Sequence, residues 1–184
     1  MADLRAMTAM GAHDPHTVTV GPLTVTERFD VALASVAARR GRDLSEAAKT
    51  AGVPLPGPAL YQVGVPYSTF WVAREMWFVE APFASHERIE ALLKTAFGDA
   101  ASITEQTDAW VAFDLAAPDL EPLIERLCNV DFRGVKDGHA TRTVIDHLGC
   151  YLVRHGNGEA RLYGPRSSAQ SLLHAVEVAA LSAY

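Results

Sequence analysis

The sequence predicts an α+β fold, with helices covering one face of mostly antiparallel sheets. Three observations carry this reading. Apolar residues make up 49% of the 184 residues and charged residues 21%, which supplies a core and argues against global disorder. Most strand-like segments alternate apolar and polar residues, the pattern of a sheet covered on one side. Segments with apolar residues three and four apart follow them, several introduced by a proline. The length suits one domain or two small halves. Two ferredoxin-like, split β-α-β subdomains satisfy both patterns.

Residues 1–16 read as a loose N-terminal tail and 17–184 as a single domain of two subdomains. Thr17 to Val20 and Leu23 to Thr26 alternate around Gly21-Pro22, as short extended segments do around a turn. Val31 to Arg39 fits either a buried strand or a helix, since periodicity does not decide it. Asp43 with Glu46 resembles a capping box that opens a helix ending at Gly52. Pro54, Pro56 and Pro58 then forbid regular structure. From there two strands, a proline and a helix recur loosely three times. Phe70–Val72 and Met76–Val79 form the first pair, turning near Arg74, and Ser85 starts a helix with Ile89, Leu92, Leu93, Ala96 and Phe97 on one face. Ser102–Thr107 and Trp110–Leu115 form the second pair, and Leu120, Leu123, Ile124 and Leu127 mark its helix. The third set is Thr141–Asp146, Cys150–Arg154 and Ala160–Tyr163, with a turn at Gly156-Asn157-Gly158 and a last helix carrying Leu172, Leu173, Val176 and Ala180.

The net charge is −6, with no basic stripe of the kind that binds nucleic acid. No apolar run approaches the length of a membrane span, and the first residues lack the apolar block of a secretory leader. A soluble, cytoplasmic, reduced protein is expected. Charge is nevertheless segregated: residues 99–131 carry eight acids and one base, and 132–166 carry six bases and three acids. The simplest reading is that the two segments face each other or solvent; docking to a partner is the alternative.

No Gly-rich phosphate loop and no metal-spaced Cys or His pair is present. Asp146-His147 suggests a base and its orienter, but neighbours on a strand point to opposite faces. Cys128 and Cys150 read as inert thiols without flanking cations. Ser167 and Ser168 read as caps of the last helix, while Arg166 beside them at a helix N-terminus could hold an anion. Trp71, Trp77 and Trp110 read as core or hairpin aromatics, or as interface anchors. The residues therefore nominate no catalytic, cofactor-binding or metal site. Arg142, Arg166, Ser167, Trp71 and Trp77 remain candidates for docking or anion binding.

Three runs carry a family resemblance: Leu123-Ile124-Glu125-Arg126-Leu127-Cys128-Asn129-Val130-Asp131, Ala140-Thr141-Arg142-Thr143-Val144-Ile145-Asp146-His147-Leu148-Gly149-Cys150, and Tyr163-Gly164-Pro165-Arg166-Ser167-Ser168-Ala169-Gln170-Ser171-Leu172-Leu173-His174. Together with Leu55-Pro56-Gly57 and Phe97-Gly98-Asp99-Ala100, they resemble the gamma subunit of heterotetrameric sarcosine oxidase, from about Gly21 to Leu181. Where the family resemblance implies a Gly-Pro turn in the first hairpin, Ala73-Arg74 stands here. The resemblance implies the fold of the folate-binding domain of the glycine-cleavage T-protein. It implies a non-catalytic assembly role beside alpha, beta and delta subunits. The complex would oxidise sarcosine to glycine, giving hydrogen peroxide and formaldehyde or 5,10-methylenetetrahydrofolate. FAD, covalent FMN, NAD and zinc would sit in the other subunits, with no cofactor in this chain. A stand-alone folate or one-carbon binder of the same fold is the alternative, and an independent enzyme using Asp146 and His147 is a third.

Overall fold

The computed structural model describes residues 6–184. The described residues form two compact units, 6–29, 109–137 and 142–184 in one and 30–108 and 138–141 in the other.

The first unit is built on a six-stranded sheet in the order β1-β2-β8-β11-β10-β9. Its strands are β1 (Thr17–Val20), β2 (Leu23–Arg28), β8 (Trp110–Ala116), β9 (Ala140–Ile145), β10 (Leu148–Arg154) and β11 (Glu159–Pro165). Helices α4 (Glu121–Leu127) and α5 (Ala169–Ala183) cover one face. Leu23, Val25, Phe113, Leu115, Leu152 and Leu162 point from that face into a core with Leu123, Ile124, Leu172 and Val176. The α5 stripe expected from its spacing is the buried one. The hairpin from β1 to β2 turns at Gly21, whose φ is 56°.

The second unit carries a five-stranded sheet in the order β4-β5-β6-β3-β7. Its strands are β3 (Val31–Ala38), β4 (Tyr61–Gln62), β5 (Ser68–Ala73), β6 (Met76–Pro82) and β7 (Ala101–Glu105), with helices α1 (Ser45–Ala51), α2 (Phe83–His86) and α3 (Ile89–Phe97). Leu44 and Ala48, with Ile89, Leu93 and Phe97, pack on Ala34, Val36 and Val79 of the sheet. Val31–Ala38 is thus a strand, interior to the sheet and buried on both faces over Ala32–Val36, which explains why its run is rich in Ala and Val rather than alternating.

The α+β class holds, with every described strand pair antiparallel. Four local expectations change. Ser102–Thr107 and Trp110–Leu115 do not pair: β7 joins β3, and β8 lies between β2 and β11. The intervening loop is pinned to β3 instead, with Thr107 Oγ1 accepting from Leu33 N at 2.9 Å and Gln106 N donating to Leu33 O at 2.8 Å. Ser85 does not cap the long helix; its hydroxyl contacts Pro82 O at 3.4 Å and His86 Nδ1 at 2.9 Å within the separate turn α2. Leu92 is 45% exposed rather than on the buried stripe. Asp43 bonds Ser45 N at 2.9 Å, so the turn before α1 closes on Ser45 rather than through Glu46; Gly52 ends the helix at φ 67° as its type allows.

Residues 8–16, within the segment read as a tail, are tied to the first sheet. Buried Glu27 accepts from Met10 N and His16 N, both at 3.0 Å, and Thr8 is itself buried.

Candidate functional site

The residues nominated from the sequence occupy separate places. In the first unit, Arg142 is exposed on β9. Its guanidinium lies beside Gly149 and Tyr151 on β10, and the Tyr151 ring packs against Trp110 at a tilt of 57° with centroids 5.4 Å apart. Burial raises the Tyr151 phenol above its ordinary value, and Arg142 partly opposes the shift.

Arg166, Ser167 and Ser168 form a 3₁₀ turn before α5. Ser168 occupies the N-cap position without a side-chain capping bond, so the capping expected of these serines is not made. The Arg166 guanidinium donates to Met7 O at 2.8 Å, and its backbone amide donates to Ala109 O at 3.0 Å. This arginine thereby holds the N-terminal segment.

Asp146 and His147 do not lie on a strand. They are the two loop residues between β9 and β10, at φ 45° and 68°, the left-handed pair of a two-residue hairpin turn. Both side chains are exposed.

In the second unit, Trp71 and Trp77 face each other across β5 and β6, both half-buried. The Trp77 indole donates to Pro56 O at 2.8 Å. The hairpin turns at Arg74-Glu75, Glu75 taking φ 55°, with a register irregularity between Trp71 and Ala73.

Sequence reasoning missed the most developed polar constellation of the first unit. On the sheet face turned away from α4 and α5, the Asp114 carboxylate lies between two arginines. Arg161 donates to it at 2.6 and 3.2 Å, and Arg28 donates at 2.7 Å. Burial raises the Asp114 carboxyl, but hydrogen bonds and charge from Arg161 and Arg28 outweigh it and hold the group below its ordinary value. His155 near this cluster is pushed down to about 4, by burial first and by Arg161 second. It is therefore neutral at pH 7. A lone aspartate in the apolar run Trp110–Ala116 was the available signal; its partners are 86 and 47 residues away in sequence. The cluster ties β2, β8 and β11 together. With the exposed pair of Arg133 and Glu121, it also shows acids of the 99–131 segment meeting bases of the 132–166 segment.

Cys150 is buried, and its thiol is pushed up to about 11 by burial, with Cys128 adding to the shift. Among the described residues no group of His, Cys, Asp and Glu is arranged to hold a metal ion. None of their helices is long and apolar enough to cross a membrane.

No protein-family model matches the chain, and no curated protein does. Among solved structures, a chain of heterotetrameric sarcosine oxidase from Corynebacterium sp. U-96 superposes with a TM-score of 0.76 at 18% identity, over 91% of this chain and 90% of that one. The fold is that of a sarcosine oxidase chain. The glycine cleavage system aminomethyltransferase T from Bartonella henselae matches with a TM-score of 0.62 at 13% identity, over 82% of this chain and 44% of that one. This chain thus spans less than half of the aminomethyltransferase. The fold expected from the family resemblance is the one observed.

Proposed function

We propose that this chain is a non-catalytic assembly subunit, of gamma type, in a heterotetrameric sarcosine oxidase. The observation that carries the reading is the mutual coverage of 91% and 90% with one chain of such a complex. The residues agree with a supporting part. The strongest charge cluster is consumed in joining β2, β8 and β11, and Arg166 is engaged by the backbone of Met7. Alpha, beta and delta chains would be its partners, and FAD, covalent FMN, NAD and zinc would reside in them. The complex would convert sarcosine to glycine in the cytoplasm.

The test is co-expression with alpha, beta and delta chains of a sarcosine oxidase. The expected result is one stable four-chain assembly, while the isolated chain shows no flavin absorbance and no sarcosine turnover. A colourless chain that stays apart from all three would defeat the proposal, as would turnover by the chain alone.

The likeness to an aminomethyltransferase supports a second reading, a stand-alone folate or one-carbon binder. Titration of the isolated chain with tetrahydrofolate separates the two: saturable micromolar binding favours the binder, and none favours the subunit.

A further inference from the structure

We infer that the segment from Gly57 to Pro66 in the second unit, the short strand β4 with its flanking turns, is a preformed apolar plug by which this chain docks into an uncharged recess of a partner chain. The inference rests on the assembly role proposed above and names the surface that serves it. No charged residue stands between Lys49 and Arg74, although the chain as a whole carries −6. Within this stretch Leu60 is 49% exposed, Val63 70% and Val65 93%. Leu60 and Val63 flank β4 and Val65 follows two positions on, so one short stretch exposes three large aliphatic side chains, where singly scattered ones are the ordinary case. The charge pattern also selects the occupant. A nucleic acid or an anionic bilayer needs cations here, and the loop has none; the core of a protein interface is depleted of charge in the same way.

The loop is held in shape from within. Val53 and Pro56 are buried, and Leu55 packs against the core beneath them. Trp77 Nε1 holds Pro56 O at 2.8 Å, which gives one of the tryptophans nominated for docking the task of supporting this loop from below. Leu60 O accepts from Trp71 N at 3.0 Å, Tyr61 N donates to Gly138 O at 2.7 Å, and Ala140 N donates to Ala59 O at 2.9 Å. Gly64 N reaches Ser68 Oγ at 3.3 Å. A Cβ on Gly64 would lie 2.3 Å from Tyr67 O, so only glycine fits there. Ala59 takes φ 60°, a conformation that an alanine keeps only when its surroundings impose it. An apolar loop already fixed in one shape loses little conformational freedom on binding, which favours affinity.

The experiment mixes the full chain with a purified assembly of alpha, beta and delta chains of a sarcosine oxidase. It compares the wild type, the double variant Val63→Asp/Val65→Asp, and Val178→Asp on the exposed face of α5. The expected result is assembly by the wild type and by Val178→Asp, with affinity about 30-fold or more weaker for the double variant at an unchanged circular dichroism spectrum. Equal assembly by the double variant overturns the docking surface and leaves the subunit role standing. Failure of the wild type to assemble overturns the subunit role itself. Sedimentation of the chain alone detects a second copy: a self-dimer that the double variant abolishes overturns the choice of occupant. If the double variant misfolds, amide exchange of residues 60–66 in the wild type decides, with slowing on assembly expected and unchanged exchange refuting.

Discussion

Replacing Asp114 by asparagine tests whether the two-arginine cluster holds the first sheet together. The side chain keeps its volume and loses its charge, leaving Arg161 and Arg28 facing one another across a neutral amide. Side-chain exposure is 12% for Arg161, 28% for Arg28 and 32% for Asp114. An exposed ion pair contributes about 0–1 kcal/mol, and breaking a fully buried one costs about 3–5 kcal/mol. The cluster lies between these limits, so the expected loss is about 2 kcal/mol. With a urea dependence of about 2 kcal/mol per molar, the midpoint of unfolding falls by about 1 M at pH 7. The pH dependence has a definite sign. The folded carboxyl lies below its ordinary value of 3.8, so its stabilisation is present above that value and disappears as the pH falls through the folded one. The gap between wild type and Asp114→Asn therefore closes below pH 3.8. Urea titrations followed by circular dichroism at several pH values measure both effects. Equal midpoints at pH 7, or a gap that persists unchanged in acid, would refute the reasoning.

Three further outcomes follow from the same geometry. The His155 imidazole, with its value near 4, shows no titration between pH 5 and 8 by NMR; because the unfolded chain takes up the proton first, this residue makes stability decline as the pH falls from about 6.5. A midpoint near 6.5 would contradict its burial. Cys150, with its thiol near 11, resists Ellman's reagent at pH 8 until urea unfolds the chain, while half-buried Cys128 reacts first; two equally fast thiols would contradict this. Gly158→Ala places a Cβ 2.2 Å from the Ala117 carbonyl oxygen, a backbone clash costing about 1–3 kcal/mol that thermal unfolding detects as a lowered Tm.

The parts legible from the sequence are those set by near neighbours. Leu172, Leu173 and Val176 mark the buried side of α5 because a helix repeats over a few residues. Gly52 is legible because a left-handed backbone restricts residue type; the turn at residues 156–158 falls where expected, although none of its residues takes a positive φ. The Asp114 cluster was not legible, since nothing local says that Arg28 and Arg161 flank it. Arg166, nominated as an anion holder, and the serines beside it show the reverse case: a sequence suited to capping is used elsewhere once the N-terminal segment comes near.

Composition and periodicity alone were enough to set the α+β class, the apolar faces of the helices and most strand positions, because burial forces a repeat that each segment carries within itself. Which strands pair was decided only in three dimensions. β7 and β8 follow one another in the chain, yet β7 lies against β3 and β8 between β2 and β11. The same holds for the exposure of Leu60, Val63 and Val65, which apolar character by itself places neither inside nor outside. Strand pairing and burial depend on partners far along the chain, and a local pattern is equally satisfied by several of them.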